Sequence, residues 1–256
     1  MSTVDKYTLK PSLSETFKSI IWKIETDDTD SIIALETRNP ADRTSHFSAY
    51  NFVTGECLFK EITVEDSWNW GLDKVHKGIV FLHSYVHESN PEHKGIIAIN
   101  GEGNIAWQQF NKTLYEVTNK GLLVYNPKIQ PKIFELISAS DGSSCPEKEL
   151  EAKPVDRTVI VPEIISDVSF LNHLLPQNYI GPVFYKEYNH KSILVYHIKS
   201  GSLFNQQLAV YQGGNLILED NLAMDIQKLN PEAFFIDRDH MFCIRNNKKQ
   251  FVSYLV

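Results

Sequence analysis

His76, His83, His87 and His93 fall close together in the chain, with Tyr85 among them and Lys94 beside His93. Histidine is the usual zinc ligand and general base near neutral pH, so this group is the first place to look for chemistry. On a helix, His83 and His87 would share one face and grip a metal. On a strand they also share a face, but stand about 13 Å apart at about 3.3 Å per residue. That is too far for one ion whose bonds to its ligands are about 2 Å long. The flanking runs Ile79-Val80-Phe81-Leu82 and Ile96-Ile97-Ala98-Ile99 are strand formers. The segment is therefore read as strand, with no metal. His83 and Tyr85 then sit on a sheet surface, hydrogen-bonding to nearby turns, and His87 is solvated. His93 lies in the turn-forming stretch Asn90-Pro91-Glu92-His93-Lys94-Gly95 and is the best exposed candidate for ligand contact. Trp68 and Trp70, two apart, are expected on one strand face. The candidate ligand-binding set is His83, Tyr85, His93, Lys94, Trp68 and Trp70. No catalytic residue, metal or cofactor is assigned.

Other chemistries leave little trace. The chain has no nucleophile elbow, no HExxH, no phosphate loop and no dinucleotide fingerprint. Asp27-Asp28-Thr29-Asp30 has the carboxylates for calcium but lacks the glycine and distal glutamate of an EF-hand, so a solvated hairpin turn is expected. Asp237-Arg238-Asp239-His240 reads as a turn with a surface ion pair.

The elements that must position these residues are strands. Ile20–Ile24, Ser31–Thr37 and His46–Phe52 alternate with turn residues. Leu114–Val117 and Leu122–Tyr125 flank Asn119-Lys120-Gly121, and Leu208–Tyr211 and Asn215–Glu219 flank Gly213-Gly214. A short helix is expected over Val168–Leu175, capped by Asp167 and stopped by Pro176. Ser143–Pro154 is charged and turn-rich and reads as a surface excursion. Residues 1–19 read as a partly ordered lead-in, and 20–256 as a single domain.

One spacing is more specific. Ala49-Tyr50-Asn51-Phe52-Val53-Thr54-Gly55-Glu56-Cys57-Leu58-Phe59 resembles the repeat Ala-x-Asp-x-x-Thr-Gly-x-x-x-Trp of quinoprotein-type propellers, with Asn51 and Phe59 as replacements. Ala98-Ile99-Asn100-Gly101-Glu102-Gly103-Asn104-Ile105-Ala106-Trp107 resembles the same motif one residue short. Gly142 and Gly201 read as the third and fourth turn glycines, roughly 40–60 residues apart, the size of blade repeats. The chain is also similar to an uncharacterised bacterial family of propeller-like proteins, through His83-Ser84-Tyr85 and Pro91-Glu92-His93-Lys94-Gly95-Ile96. The resemblance implies an all-β chain, a β-propeller of about five blades, with six or seven blades or a large antiparallel sandwich as alternatives. It brings no activity and no cofactor with it. Trp107 is expected between blades.

Composition narrows the function. A net charge of −7 lacks the basic face that nucleic acid requires. No apolar run approaches a membrane span, and the start lacks the layout of a signal peptide. The reading is a cytoplasmic monomer that binds a protein or small molecule without catalysis. The alternative is a hydrolase or lyase using His83, Tyr85 and His93 at a channel mouth. Cys57, Cys145 and Cys243, odd in number and without a CxxC pair, suit a reducing compartment. Thiol titration of the unfolded, unreduced protein should find three thiols; finding one would overturn that compartment.

Overall fold

Short β-branched and aromatic runs between glycine and asparagine turns become strands throughout the computed structural model, which describes residues 7–87, 90–145, 152–155 and 159–256. The chain is all-β. It opens with β1 (Pro11–Thr16). β2 (Ile20–Thr26), β3 (Ile32–Asn39), β4 (Thr44–Asn51) and β5 (Cys57–Ile62) make a four-stranded antiparallel sheet. β6 (Trp70–His76), β7 (Ile79–His87), β8 (Asn90–Ile99) and β9 (Ile105–Gln109) make a second. β10 (Thr113–Thr118), β11 (Gly121–Tyr125) and β12 (Phe134–Ile137) form a three-stranded sheet. β13 (Glu163–Ile165), β14 (Tyr179–Tyr188), β15 (Lys191–Ser200), β16 (Leu203–Gln212) and β17 (Asn215–Ile226) form a five-stranded one. β18 (Phe234–Asp237), β19 (His240–Arg245) and β20 (Gln250–Leu255) close the chain, and β1 pairs with β20 at the edge of their sheet.

The chain divides into two compact units, one holding Met1–Lys18 and Thr158–Val256, the other Ser19–Arg157. In the second unit, alternate residues of β7 serve two cores. Val80 and Leu82 pack with Phe47, Leu72 and Ile97. Phe81 packs with Ile96, Leu122 and Ile137. Both faces of the strand are buried, which is why it reads as a continuous apolar run rather than an alternating one. In the first unit, Val195, Leu208, Met241 and Val252 share one core, and Leu171, Leu174 and Leu175 cover Leu194 and Ala209.

A repeated contact joins neighbouring sheets of the Ser19–Arg157 unit. Gly55, Gly103 and Gly142 all take φ between 71° and 80°, the left-handed region open to glycine. The amide of each closes the turn onto the carbonyl of Asn51, Asn100 or Ser138. The ring that ends one motif rests on the turn glycine of the next. A Cβ on Gly103 would lie 3.0 Å from Phe59 Cβ, and one on Gly142 would lie 2.9 Å from the Trp107 ring. Trp107 Nε1 also donates to Ala139 O at 2.9 Å, and its ring meets Phe81 at 5.9 Å. Trp107 is half-buried rather than enclosed. Gly201 has open space around it and does not extend the series.

Several expectations are corrected. Pro11–Thr16, within the expected lead-in, is a paired strand because Leu13 is buried against the sheet. Trp68 and Trp70 do not share a strand face. Asp66 adopts φ 52° and Ser67–Asn69 forms a 3-10 turn, so the two-residue period starts only at Trp70. Asn90–Gly95 is not a turn but part of β8. Only Ser169–Leu171 is helical, as a 3-10 turn, in place of the expected helix. Asp27 is buried, not solvated. Residues 146–151 of the Ser143–Pro154 excursion lie outside the described residues. Among those described, no helix is long and apolar enough to cross a membrane.

Truncating the wedge should be costly. Trp107→Ala is expected to lower stability by about 3 kcal/mol, and Gly142→Ala by at least about 1 kcal/mol from its left-handed backbone alone. Chemical denaturation checks both; a Trp107→Ala change within about 0.5 kcal/mol, the size typical of surface substitutions, would show the ring bears no load.

Candidate functional site

Two β-bulges build the site. In the pairing of β6 with β7, Gly71 faces His83 and Leu72 faces Leu82, but Lys74 faces Phe81, so Asp73 is the extra residue. In the pairing of β7 with β8, His83 faces Ile96 and Ser84 faces Lys94, so Gly95 is extra. A bulge re-aims the side chains that follow it. Gly95, at φ 69°, brings His93 opposite Tyr85. Asp73 and His93 thus converge on His83 from its two neighbouring strands.

The rings of His83 and His93 stack with centroids 3.4 Å apart and 6° between planes. Tyr85 presents its edge to both, at 4.8 and 5.7 Å. Gly71 leaves the room, since a Cβ there would stand 3.1 Å from His83 Nε2 and 3.3 Å from the Tyr85 hydroxyl. His83 is only 3% exposed, and neither of its ring nitrogens has a hydrogen-bond partner among the described residues. Asp73 Oδ2 lies 3.7 Å from His83 Nδ1, too far for a hydrogen bond. Burial, helped by His93, Lys23 and Arg38, pushes His83 down to about 2, and burial lowers His93 as well. Burial raises Asp73 to about 6 against the pull of Lys23 and Lys74. At pH 7 a carboxylate therefore faces two neutral imidazoles.

A charged network holds this corner. Lys23 Nζ donates to Leu72 O at 2.9 Å and Asp73 O at 3.3 Å. Glu36 accepts from Leu72 N at 2.7 Å and pairs with Arg38. Arg38 donates to Trp70 O at 3.3 Å. Its guanidinium sits 5.4, 5.2 and 5.9 Å from the rings of Trp22, Trp68 and Tyr85, within cation–π range. Burial raises the Glu36 carboxyl, and Arg38 opposes that rise.

The six sequence candidates therefore separate. Tyr85 and Trp68 flank Arg38, and the stacked pair His83 and His93 meets Tyr85 edge-on. His83 is not a surface residue; stacked with His93 above Gly71, it makes no hydrogen bond to a turn. Trp70 and Lys94 instead line a pocket of about 550 Å³ with Ser84, Glu92, Gly95, Phe110, Asn111, Asn126, Pro127 and Lys128. Trp70 and Phe110 form its aromatic wall at 6.1 Å. The side chain of His87 lies outside the described residues.

Sequence reasoning missed Asp73, Gly71, Glu36 and Arg38. One signal was present: Glu36 and Arg38, two residues apart, continue the strand directly after the apolar run Ile32-Ile33-Ala34-Leu35, where a buried strand needs a reason to carry charge. Asp73 had no signal, because a bulge cannot be read from periodicity.

A second polar group lies at the turns between β2 and β3 and between β6 and β7. Asp27 Oδ1 accepts from Thr29 N, Thr29 Oγ1 and Asp30 N at 2.8–3.0 Å, and Oδ2 from Gly78 N at 2.7 Å. Beside it, His76 Nδ1 meets Asp28 Oδ1 at 2.7 Å. This is a tie between two turns.

Residues 26–107 match the model of a family described as a domain of unknown function, DUF4905. That span holds both polar groups together with Trp70 and Lys94. No curated protein matches the chain in sequence. Among solved structures, the chain is similar to the β-propeller domain, of open velcro topology, of the Trilobed protease from Pyrococcus furiosus. The identity is 13% and the TM-score 0.31, over 90% of this chain and 78% of that one. It is also similar to a bifunctional GH43-CE protein of Bacteroides eggerthii, at 8% identity and TM-score 0.26, over 93% of this chain and 33% of that one.

Asp27 sets a pH dependence. Burial alone would raise its carboxyl, but the hydrogen bonds from Gly78, Asp30 and Thr29 together hold it below the ordinary value near 3.8. Its stabilisation is thus fully present above that value and lost as the pH falls through the lower folded one. Asp27→Asn should cost about 1–3 kcal/mol at pH 7. Thermal melts across the acid range should show the gap from wild type closing below pH 4; a constant gap would contradict the assignment.

Proposed function

We propose that the chain is a non-catalytic binding module built from quinoprotein-type propeller blades, and that its ligand is a small molecule with an acidic group on an apolar body. The repeated contact of a ring on the next turn glycine supports the blade reading. The carrying observation for binding is the pocket. Its volume, about 550 Å³, falls in the range of small-molecule sites. Trp70 and Phe110 offer a flat apolar wall, and Phe110 is 62% exposed, more than a large hydrophobic needs for packing. Lys94 and Lys128 stand against one acid, Glu92, in the lining. A locally cationic pocket in a chain of net charge −7 favours an anion.

The hydrolase or lyase reading is favoured by one observation, the meeting of Asp73, His83, Tyr85 and His93. His83 is buried beneath that stack, so a substrate would reach His93 and Tyr85 first.

The binding reading is tested with phenylacetate and its uncharged amide, phenylacetamide, by titration calorimetry. Phenylacetate should bind more tightly, and Lys94→Ala should weaken it about tenfold, about 1.4 kcal/mol. Phe110→Ala should weaken both compounds. Equal affinity for acid and amide, or an unchanged Lys94→Ala variant, would count against an anion-selective pocket. Hydrolysis of a p-nitrophenyl ester that is lost in His93→Ala would favour the catalytic reading instead.

A further inference from the structure

We propose that Asp73, His83 and His93 bind a divalent metal ion of the zinc class. Each offers one ligand atom, and these atoms lie within 4.8 Å of one another. Two imidazoles and one carboxylate are a donor set of open zinc and related transition-metal sites, in which three protein ligands leave a position for water or substrate. The site does not depend on the pocket reading and stands whether or not the chain catalyses a reaction.

Three observations support it beyond proximity. His83 is buried with both nitrogens unpartnered, an arrangement that native structures avoid unless something satisfies the group. The two bulges bring exactly one carboxylate and one imidazole to it, from opposite neighbouring strands. Gly71 lets the His83 ring occupy this position, since any Cβ there would stand 3.1 Å from Nε2 and 3.3 Å from Cε1. The nearby cations are paired with other acids: Arg38 with Glu36, and Lys23 and Lys74 with Glu25 at 3.2 and 3.7 Å.

The distance along a single strand, which argued against a shared metal for His83 and His87, does not apply to partners on adjacent strands. One movement is required. The stacked rings hold their lone pairs parallel, and ligand atoms around a tetrahedral zinc stand about 3.4 Å apart. His93, half-buried and two residues from the Gly95 bulge, is the ring that would turn to share the ion with His83. The other grouping of ligand atoms, Asp27, Asp28 and His76, is weaker. Both oxygens of Asp27 already accept backbone hydrogen bonds, and Asp28 and His76 bond to each other.

The test uses the full chain without a histidine tag, stripped with a chelator and checked as folded by circular dichroism. Zinc is then titrated against a chromophoric competitor, and cobalt is followed by its visible absorption. One zinc per chain is expected at micromolar affinity or tighter, with a raised melting temperature. His93→Ala, at the half-buried position, should weaken binding at least about tenfold and change the cobalt spectrum, because loss of a ligand costs at least as much as loss of its outer support. Asp73→Asn should also weaken it and serves if His93→Ala fails to fold. Asp28→Asn should leave it unchanged. No binding by folded wild type, or binding that survives in the folded variants of both His93 and Asp73, overturns the site, as does loss in Asp28→Asn alone.

Discussion

A flat ring resting on a glycine of left-handed backbone is the contact on which the Ser19–Arg157 unit depends. Phe59 lies on Gly103 and Trp107 lies on Gly142. Each pair solves two problems together. The turn needs positive φ, which glycine adopts without a steric penalty. The same missing Cβ lets an aromatic ring approach the backbone closely, so a large apolar area is buried where two sheets meet. Any side chain at either glycine would strain the turn and push the ring away. At both turns an asparagine oxygen caps the backbone, Asn51 accepting from the Thr54 amide and Asn100 from the Asn104 amide.

Regular pairing alone would not have produced the cluster at His83. In an unbroken antiparallel sheet, side chains alternate and neighbours keep fixed partners. The extra residues Asp73 and Gly95 break that phase on both flanks of β7. The cores on either side of the strand, around Leu82 and around Phe81, fix the rest of the register. The local irregularity is held in place by packing further along the same strands.

Charge reinforces the same corner. Glu36 and Arg38 are buried, which is costly unless the charges are paired and hydrogen-bonded. Each meets that condition: Glu36 binds the Leu72 amide, and Arg38 binds the Trp70 carbonyl and lies among three aromatic rings. These bonds secure β6, the strand that carries Gly71 and Asp73. At the other end of β6, Asp27 holds the Gly78 amide by the same logic.

The all-β character, most strand positions and the turn glycines were legible in the chain because each depends on neighbours in sequence: an apolar run, a Gly at a turn, an asparagine that caps it. The choice of His83, Tyr85 and His93 as a group was legible for the same reason. Their geometry was not. Counting residues along β7 separates His83 from His87, but says nothing of His93 on the strand beside it. It also places Trp68 and Trp70 on one face, although a 3-10 turn at Ser67–Asn69 parts them. Asp73 and Gly71 enter only through register, and Glu36 and Arg38 find their β6 partners only through contacts between sheets. Sequence thus determined which residues form strands and turns, because those are local balances of backbone freedom and side-chain shape. Tertiary structure decided which side chains meet, because bulges and buried ion pairs are settled by packing between segments far apart in the chain.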